Sequence, residues 1–248
     1  MVALQTHGIV KRFGALLVTD KVSLDIRPGE LHAVIGPNGA GKTTLINQLS
    51  GELRSDEGQI TFAGQDVTAL AVHQRAQAGL VRSYQITSIF EEFSVVENAV
   101  LAAMASKGHA WRFWRPMLDD TAARKTAEAA VAAAGLTLEA DVPAGELAYG
   151  QRRQLELAMA FAAEPKFLLL DEPLAGMSVQ ESSAVIELLR GLKGRYTMLL
   201  VEHDMEAVFA LADRISVLVY GSVLFTGTPD EIRAHPEVRA VYLGEETA

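Results

Sequence analysis

Residues 31–44 have the sequence LHAVIGPNGAGKTT, which passes from an apolar segment into a glycine-rich one. The run LHAVIG predicts a buried strand, and GPNGAGKT, residues 36–43, matches the pattern G-x-x-x-x-G-K-[ST] of phosphate-binding loops. The glycines let backbone N–H groups wrap a phosphate chain, while Lys42 supplies a positive charge and Thr43 a hydroxyl for Mg²⁺. A helix predicted from about residue 42 to 50 adds its positive N-terminal end. The stretch therefore predicts a nucleoside triphosphate site.

A second apolar strand, residues 167–170, ends in two acids, Asp171 and Glu172. Open α/β sheets bind their ligands at the carboxyl ends of the strands, so both acids are expected at the edge that holds the glycine-rich loop. Asp171 is suited to a direct or indirect contact with Mg²⁺, and Glu172 to orienting a water molecule for attack on the γ-phosphate. A solvated acidic turn is the alternative for this motif taken alone.

A third apolar strand, in MLLVEHD, is followed directly by His203. A histidine at a loop edge is commonly structural, whereas one beside a γ-phosphate would take part in the reaction. Both interpretations remain open on this motif by itself.

The chain alternates strands and helices after a β-rich start, which predicts an α/β fold with a parallel sheet covered by helices on both faces. The region 88–150 is predicted to be largely helical. The predicted strands are 5–13, 18–26, 30–35, 58–67, 166–172, 196–203 and 214–220, and the predicted helices are 42–50, 178–192 and 205–212. In the region 88–150 Gly135 is expected to end a helix. Near the C-terminus Thr228, Pro229 and Glu231 form a predicted capping box.

The composition limits the class of protein. The chain has 248 residues, is 49% hydrophobic and carries a net charge of −9, which argues against a nucleic-acid partner held by its phosphates. The absence of cysteine excludes disulfides, a cysteine nucleophile and thiolate metal sites. We find no signal peptide, and no apolar run approaches the roughly 18 residues that cross a bilayer. A soluble, cytosolic chain is therefore expected.

The segment LAYGQRRQLELAMA, residues 147–160, raises a question about its charge. Its apolar part predicts a buried helix, yet the helix opens with Tyr149, Gly150 and Gln151, followed by two arginines. The first N–H groups of a helix have no intrahelical acceptor and carry partial positive charge. The sequence offers no obvious anion to meet them.

These motifs, in this order, resemble those of the ATP-binding subunits of ABC transporters. The resemblance implies an α/β fold with a P-loop NTPase core, an N-terminal antiparallel β subdomain and a helical subdomain. It implies a single ABC ATPase domain over residues 1–248. Residues 1–87 and 164–248 would form the RecA-like core with the β subdomain, and about 88–163 the helical subdomain with the signature motif.

The same resemblance implies ATP and Mg²⁺ as ligands and assigns residues to them. Phe13 corresponds to the aromatic residue that stacks on adenine, Gln85 to the Q-loop glutamine, and His203 to the switch histidine. Glu172, His203 and Gln85 are then the catalytic residues, and Thr43, Gln85 and Asp171 the Mg²⁺ ligands. The nucleotide-binding residues are Phe13, Gly36, Asn38, Gly39, Ala40, Gly41, Lys42, Thr43 and Thr44.

In this family a signature close to L-S-G-G-Q meets the nucleotide on the P-loop of a second subunit packed head to tail. Here Ala148, Tyr149, Gly150 and Gln151 take that role, so the missing anion is expected from another chain. Ala148 replaces the family's serine and Tyr149 a glycine. The loss of one hydrogen bond to a charged group is worth roughly 1.5–3 kcal/mol. Ser178 stands where the family usually has the D-loop aspartate.

Within the family, the chain resembles the branched-chain amino acid importer ATPases in three stretches, LAYG, DEPLAGM and the ending GTPDEIRAHPEVRAVYLGE. These importers have two paired ATPases, and the chain resembles the longer of the two. This implies an ATPase that powers import of branched-chain or related amino acids. A transporter for urea, aromatic compounds or other small solutes, or a lipopolysaccharide extraction system, is the alternative. The implied partners are a second ATPase subunit, identical or homologous, two membrane-spanning permease subunits and, indirectly, an extracytoplasmic solute-binding protein, with no nucleic acid. The implied location is peripheral, on the cytoplasmic face of the inner (plasma) membrane.

Two stretches allow two interpretations each. WRFWRP, residues 111–116, would contact a membrane subunit or lipid headgroups, or would supply aromatic packing in the helical subdomain. Ile89, Phe90 and Phe93 would line a groove for a short helix of a membrane subunit, or would face the protein's own core. Other P-loop classes fit less well, because no N-K-x-D motif for guanine and no second cassette or long coiled coil is present.

Overall fold

The computed structural model describes residues 3–83, 89–106 and 120–243. They form two compact units. The first contains the described residues up to 75, together with 169–172 and those from 193 onward. The second contains the described residues between 76 and 168, together with 173–192. The predicted boundaries of a core and a helical subdomain stay a prediction.

The strands follow one another along the chain as β1 (Leu4–Phe13), β2 (Leu16–Ile26), β3 (Leu31–Ile35), β4 (Glu57–Phe62), β5 (Gln65–Asp66), β6 (Leu80–Ser83), β7 (Phe167–Asp171), β8 (Thr197–Val201), β9 (Arg214–Val219) and β10 (Ser222–Gly227). The helices are α1 (Lys42–Ser50), α2 (Val72–Ala78), α3 (Val95–Ser106), α4 (Thr121–Ala133), α5 (Tyr149–Ala162), α6 (Val179–Leu192), α7 (Met205–Leu211), α8 (Pro229–Ala234) and α9 (Pro236–Val238). Short 3₁₀ turns lie at Thr137–Glu139 and Ala144–Glu146, and a π-helical turn at Arg239–Leu243.

The first unit begins with an antiparallel sheet in the order β2-β1-β4-β5. The prediction of one strand over 58–67 is wrong in detail, because β4 and β5 are separate strands joined by a tight turn. Ala63 and Gly64, with φ of +48° and +80°, both adopt the left-handed backbone that such a turn requires. The alternation of apolar residues along 58–67 does not reveal that turn.

A second sheet of this unit has the order β10-β9-β3-β8-β7. β3 runs parallel to both β8 and β9, and β10 folds back antiparallel to β9. Every residue of β3, β7 and β8 is buried, as expected for strands covered on both faces. The carboxyl ends of β3 and β8 therefore lie side by side, which places the segments that follow them at one edge.

Helix α1, which follows the glycine-rich loop, is anchored at its far end by a buried arginine. Arg75 is 1% exposed, and its Nη1 donates to the carbonyls of Gln48 and Leu49 in the last turn of α1, both at 2.7 Å. Its Nη2 and Nε donate to the carbonyls of Thr68 and Leu70 at 3.0 and 3.1 Å. One side chain therefore ties α1 to the segment before α2.

In the second unit α3, α4 and α5 pack against one another. The region 88–150 is helical only in part, because loops and 3₁₀ turns separate α4 from α5. Gly135 ends α4 as predicted. Its φ is +78°, its N–H donates to the carbonyl of Ala132 at 3.1 Å, and the N–H of Leu136 donates to that of Val131 at 3.0 Å. This pair of bonds is a Schellman motif.

Four helices and strands of the described ranges were not predicted: α2, β6, β10 and α9. The C-terminal capping box is confirmed, since Thr228 accepts from the N–H of Glu231 while the Glu231 carboxylate accepts from that of Thr228 at 2.7 Å. None of the helices in the described ranges combines the length and the apolar character that a bilayer crossing needs.

Candidate functional site

The glycine-rich loop joins the end of β3 to the start of α1. Asn38, Gly39 and Thr43 are exposed, Thr44 is half-buried, and Gly36, Ala40 and Gly41 are buried. Their role in nucleotide binding stays a prediction. The loop conformation has the exposed backbone and the following helix that such binding requires.

Glycine is required at both ends of the loop because the backbone of other strands approaches closely. A Cβ at Gly36 would overlap the carbonyl of Leu218 in β9, and one at Gly41 would lie 2.6 Å from the carbonyl of Val18 in β2. Gly41 also has a φ of +99°. The loop is therefore shaped by the two sheets around it.

The turn between β9 and β10 is bonded to the same loop. The N–H of Gly221 donates to the carbonyl of Ala40 at 3.0 Å, and the carbonyl of Gly221 accepts from the N–H of Asp20 at 2.8 Å. Its neighbour Tyr220 has a φ of +45° and a side chain that is 90% exposed. The turn connects the loop to β2 and projects an aromatic ring outward beside it.

Lys42 lies under the loop, with 9% of its surface exposed. Its Nζ donates to the carbonyls of Gly36 at 2.6 Å and Pro37 at 3.1 Å. Burial lowers the pKa of the ammonium group, and the nearby Glu172 carboxylate acts in the opposite direction without cancelling the effect. The charge therefore sits within the loop, where β- and γ-phosphates are expected.

The predicted acids lie at the end of β7. Asp171 is 6% exposed, and the Glu172 side chain is 31% exposed. Glu172 adopts a left-handed backbone with φ of +47°, and its N–H donates to the carbonyl of Val201 at the end of β8 at 2.8 Å. A strained backbone at a non-glycine residue is costly and is concentrated at functional sites. Glu172 is held in place by the neighbouring strand.

His203 follows β8 and is close to this acid. Its Nδ1 lies 4.0 Å from Oε1 of Glu172 and 3.8 Å from Oε2 of the buried Glu202, and its side chain is 63% exposed. The structure thus brings His203, Glu172 and Lys42 together in the first unit. His203 therefore has an exposed imidazole close to the Glu172 carboxylate, and its part in the reaction stays a prediction.

Of the residues predicted to bind Mg²⁺ and the adenine base, Thr43, Asp171 and Phe13 lie in the first unit. Thr43 presents its side chain at the start of α1, and Asp171 ends β7, so oxygen donors of the type that Mg²⁺ prefers are available. Within the described ranges no group of three or more His, Asp or Glu side chains could hold a metal by itself.

Phe13, at the end of β1, is 51% exposed, with the Lys11 Nζ 5.7 Å from its ring centroid.

Helix α5, in the second unit, begins where the signature motif was predicted. Its N-cap, Ala148, has no side-chain acceptor, but the Gln151 side chain accepts from the Ala148 N–H at 3.0 Å. The two arginines are engaged rather than free. Arg152 donates to the carbonyl of Gly145 at 2.8 Å, and Arg153 forms an ion pair with Glu156 at 2.8 Å.

An acid from the same unit meets the N-terminus of α5. Oε1 of Glu181, in the first turn of α6, accepts from the N–H of Gly150 at 3.0 Å. Oε2 accepts from the N–H and the hydroxyl of Ser178 at 2.8 and 2.7 Å. The hydrogen bond from the Ser178 hydroxyl is the largest of the effects that hold the pKa of Glu181 below its ordinary value of 4.5. In this structure the N-terminus of α5 therefore meets an anion from its own unit, and the expectation that a nucleotide on another chain meets it stays a prediction.

Glu181 is not identified by any local sequence pattern, because its partner Gly150 lies 31 positions away along the chain. The available signal was S-x-x-E at residues 178–181, a capping box for α6. That pattern predicts the bonds to Ser178 but contains nothing about Gly150.

Tyr149, which replaces a glycine of the family pattern, joins α5 to the segment before α6. Its hydroxyl donates to the carbonyl of Ala175 and accepts from Nη2 of Arg153, both at 3.1 Å. A Cβ at Gly176 would lie 3.0 Å from that hydroxyl. The tyrosine side chain therefore makes these hydrogen bonds within its own subunit.

Several predictions concern other positions. Gln85 and residues 111–116 lie outside the described residues. Phe90 and Phe93 are 52% and 36% exposed with ring centroids 5.5 Å apart, so the interpretation that they face the core is wrong for these two. Ile89 is half-buried.

The sequence profile described as ABC transporter matches residues 19–175, and the chain belongs to this family. The profile of the branched-chain amino acid ATP-binding cassette transporter C-terminal region matches residues 222–248. The predicted resemblance and the ABC ATPase fold are both confirmed.

Individual relatives are similar along the full chain. The high-affinity branched-chain amino acid transport ATP-binding protein LivG of Salmonella typhimurium is 39% identical, with 98% of each chain covered. The protein of the same description named BraF from Pseudomonas aeruginosa is 37% identical, again with 98% of each covered. A crystal structure of the ADP conformation of an ATP-binding cassette from an ABC transporter is 29% identical, with a TM-score of 0.87 over 98% of this chain and 99% of that one.

Proposed function

We propose that the protein is the ATP-binding and ATP-hydrolysing subunit of an ABC importer for branched-chain or related amino acids. The observation that carries the hydrolytic part is the convergence of Lys42, Glu172 and His203 at the edge formed by β3, β7 and β8. The amino-acid cargo rests on the names of LivG and BraF and on the match of residues 222–248.

In this proposal the loop N–H groups and Lys42 bind the phosphates, and Phe13 stacks on the adenine. Glu172 orients water and accepts its proton as the water oxygen bonds to the γ-phosphorus and the bond to the β-phosphate oxygen breaks. His203 stabilises the γ-phosphate. Thr43, Asp171 and Gln85 would hold Mg²⁺, which supplies charge neutralisation for the phosphates when bound.

Hydrolysis requires a second subunit in this proposal. Two subunits bind two ATP molecules between them, and Ala148, Tyr149, Gly150 and Gln151 of each direct helix N-terminal N–H groups to the nucleotide on the other's loop. Phosphate loss weakens the pairing, and the dimer opens. Exposed Phe90 and Phe93 would receive a short helix of a permease subunit, and the protein would then lie peripherally on the cytoplasmic face of the membrane.

Glu172→Gln should bind ATP, form a stable dimer and reduce turnover at least about 100-fold, because an amide does not accept the proton of the attacking water. Gel filtration with and without ATP, and phosphate release, measure these effects. Lys42→Ala in the same background is the matched control and should remain monomeric, since the phosphates lose their main positive charge. A Glu172→Gln protein that stays monomeric with ATP or hydrolyses it normally contradicts the proposal.

A further inference from the structure

In the first turn of α5, the N–H group of Gly150 donates to the carboxylate of Glu181 in the same chain. In the proposed function the same N–H group points to the nucleotide bound by another subunit. We propose that Glu181 is an intramolecular competitor for the γ-phosphate, bound to Gly150 in the separate subunit and displaced when the ATP-bound dimer forms. The inference rests on the proposed function and describes how that same site is regulated.

The contact has the geometry of an anion bound at a helix N-terminus. Gly150 is buried, is the second residue of α5, and donates to Oε1 of Glu181 at 3.0 Å. A Cβ at Gly150 would overlap the Glu181 carboxylate, so the carboxylate can lie here because residue 150 is a glycine. The carboxylate meets both the N–H group and the positive end of the helix, the two features that attract a phosphate.

Glu181 remains ionised because three donors surround it, namely the hydroxyl and N–H of Ser178 and the N–H of Gly150. A γ-phosphate and an ionised carboxylate cannot share the Gly150 N–H, since like charges at contact distance repel strongly. Binding of the partner's nucleotide must therefore break the bond between Glu181 and Gly150.

The structure provides space for the displaced side chain. A cavity of about 240 Å³ adjoins the contact and is lined by Glu181 itself together with Gln154, Gln180 and Gln151, whose Nε2 already donates to Glu139 at 3.0 Å. Side-chain amides can donate to a carboxylate that turns toward them. Glu181 can keep its bonds to Ser178 through Oε2 while Oε1 leaves Gly150, so α6 retains its N-terminal cap during the exchange.

The test compares Glu172→Gln with the double variant Glu172→Gln/Glu181→Gln by gel filtration over a range of ATP concentrations. Glutamine has the same shape and still serves in a capping box, so α6 is expected to fold. We expect the double variant to reach half-maximal dimer formation at about tenfold lower ATP, because no charged group then opposes the phosphate at either interface. Its affinity for ADP should be unchanged, since ADP has no γ-phosphate.

Glu187→Gln in the Glu172→Gln background is the matched control. It removes the same charge from the same helix, where Glu187 pairs with Arg190 on the exposed face, and should leave the ATP dependence unchanged. An equal or higher ATP requirement in the Glu181 variant, or an equal decrease in the Glu187 variant, overturns the inference while leaving the proposed function standing. If Glu172→Gln alone does not dimerise with ATP, the proposed function fails instead, and the inference with it.

Discussion

Arg75 shows what a single buried residue contributes to this fold. Its guanidinium group donates to four carbonyls from two segments, and burial lowers its pKa. The planar group, with five N–H donors, can satisfy them all, which an ammonium with three donors cannot. Because two of the carbonyls belong to the last turn of α1, Arg75 stabilises the helix whose other end follows the glycine-rich loop.

Arg75→Lys should lower the free energy of unfolding by about 3 kcal/mol, because at least one buried carbonyl loses its donor and the charge stays buried. Urea denaturation measures the change. Arg190→Lys, on the exposed face of α6, is the control and should change stability by less than about 0.5 kcal/mol. A loss below about 1 kcal/mol for Arg75→Lys would show that water or a rearranged lysine replaces the missing donors.

At this scale the sequence predicted residues whose role follows from a local pattern. The P-loop residues, Asp171 and Glu172 belong to short motifs with a known chemical purpose, and His203 follows a strand that lies beside the loop. Glu181 was missed because its contact with Gly150 depends on how α5 and α6 meet in space. No spacing along the chain encodes that distance.

Elements of secondary structure were predictable where burial or capping dominates. β3, β7 and β8 are continuous apolar runs, and Gly135 and Thr228 mark helix ends by backbone geometry and side-chain acceptors. α2 and β6 were missed because both are short and α2 has a polar sequence, VHQRAQA. Their formation depends on tertiary contacts, such as those of Arg75, that override weak local preferences.

Gly135→Ala and Gly191→Ala should change stability in opposite directions. Gly135 has a φ of +78°, where alanine costs about 1–2 kcal/mol. Gly191 lies exposed within α6 with nothing within 4 Å of an added Cβ, so alanine should stabilise by about 0.5–1 kcal/mol. Thermal or urea unfolding of both variants measures the two signs. Equal shifts in one direction would contradict the assignment of Gly135 as the end of α4.

Ionised carboxylates make the stability of the folded chain depend on pH. In the part of the chain that the structure describes, five acids have pKa values held below their ordinary ones, Asp66 at about 2, by hydrogen bonds and nearby positive charge: Glu30, Asp56, Asp66, Glu181 and Glu231. In the unfolded chain these acids would bind protons at their ordinary pKa values. Between about pH 4.5 and 2 the unfolded chain therefore binds more protons than the folded chain. Their contribution to stability is complete above about pH 4.5 and is lost as pH falls toward about 2.

The urea midpoint should therefore be nearly constant between about pH 7 and 5 with respect to these groups and decrease steadily below about pH 4.5. Denaturation curves at constant ionic strength measure it. Glu231→Gln should flatten the decrease slightly, since one of the five acids is then absent. A midpoint that rises on acidification would contradict the direction of these pKa shifts.

The turn at Tyr220 and Gly221 has a practical consequence for spectroscopy. The chain contains no cysteine, so Tyr220→Cys would provide a unique attachment point for a fluorophore. The dye would project into water at a position that is 90% exposed, while the adjoining peptide N–H stays bonded to the carbonyl of Ala40. An emission change on adding nucleotide would then report occupancy of the loop from one labelled site, without radioactive ligand or coupled enzymes.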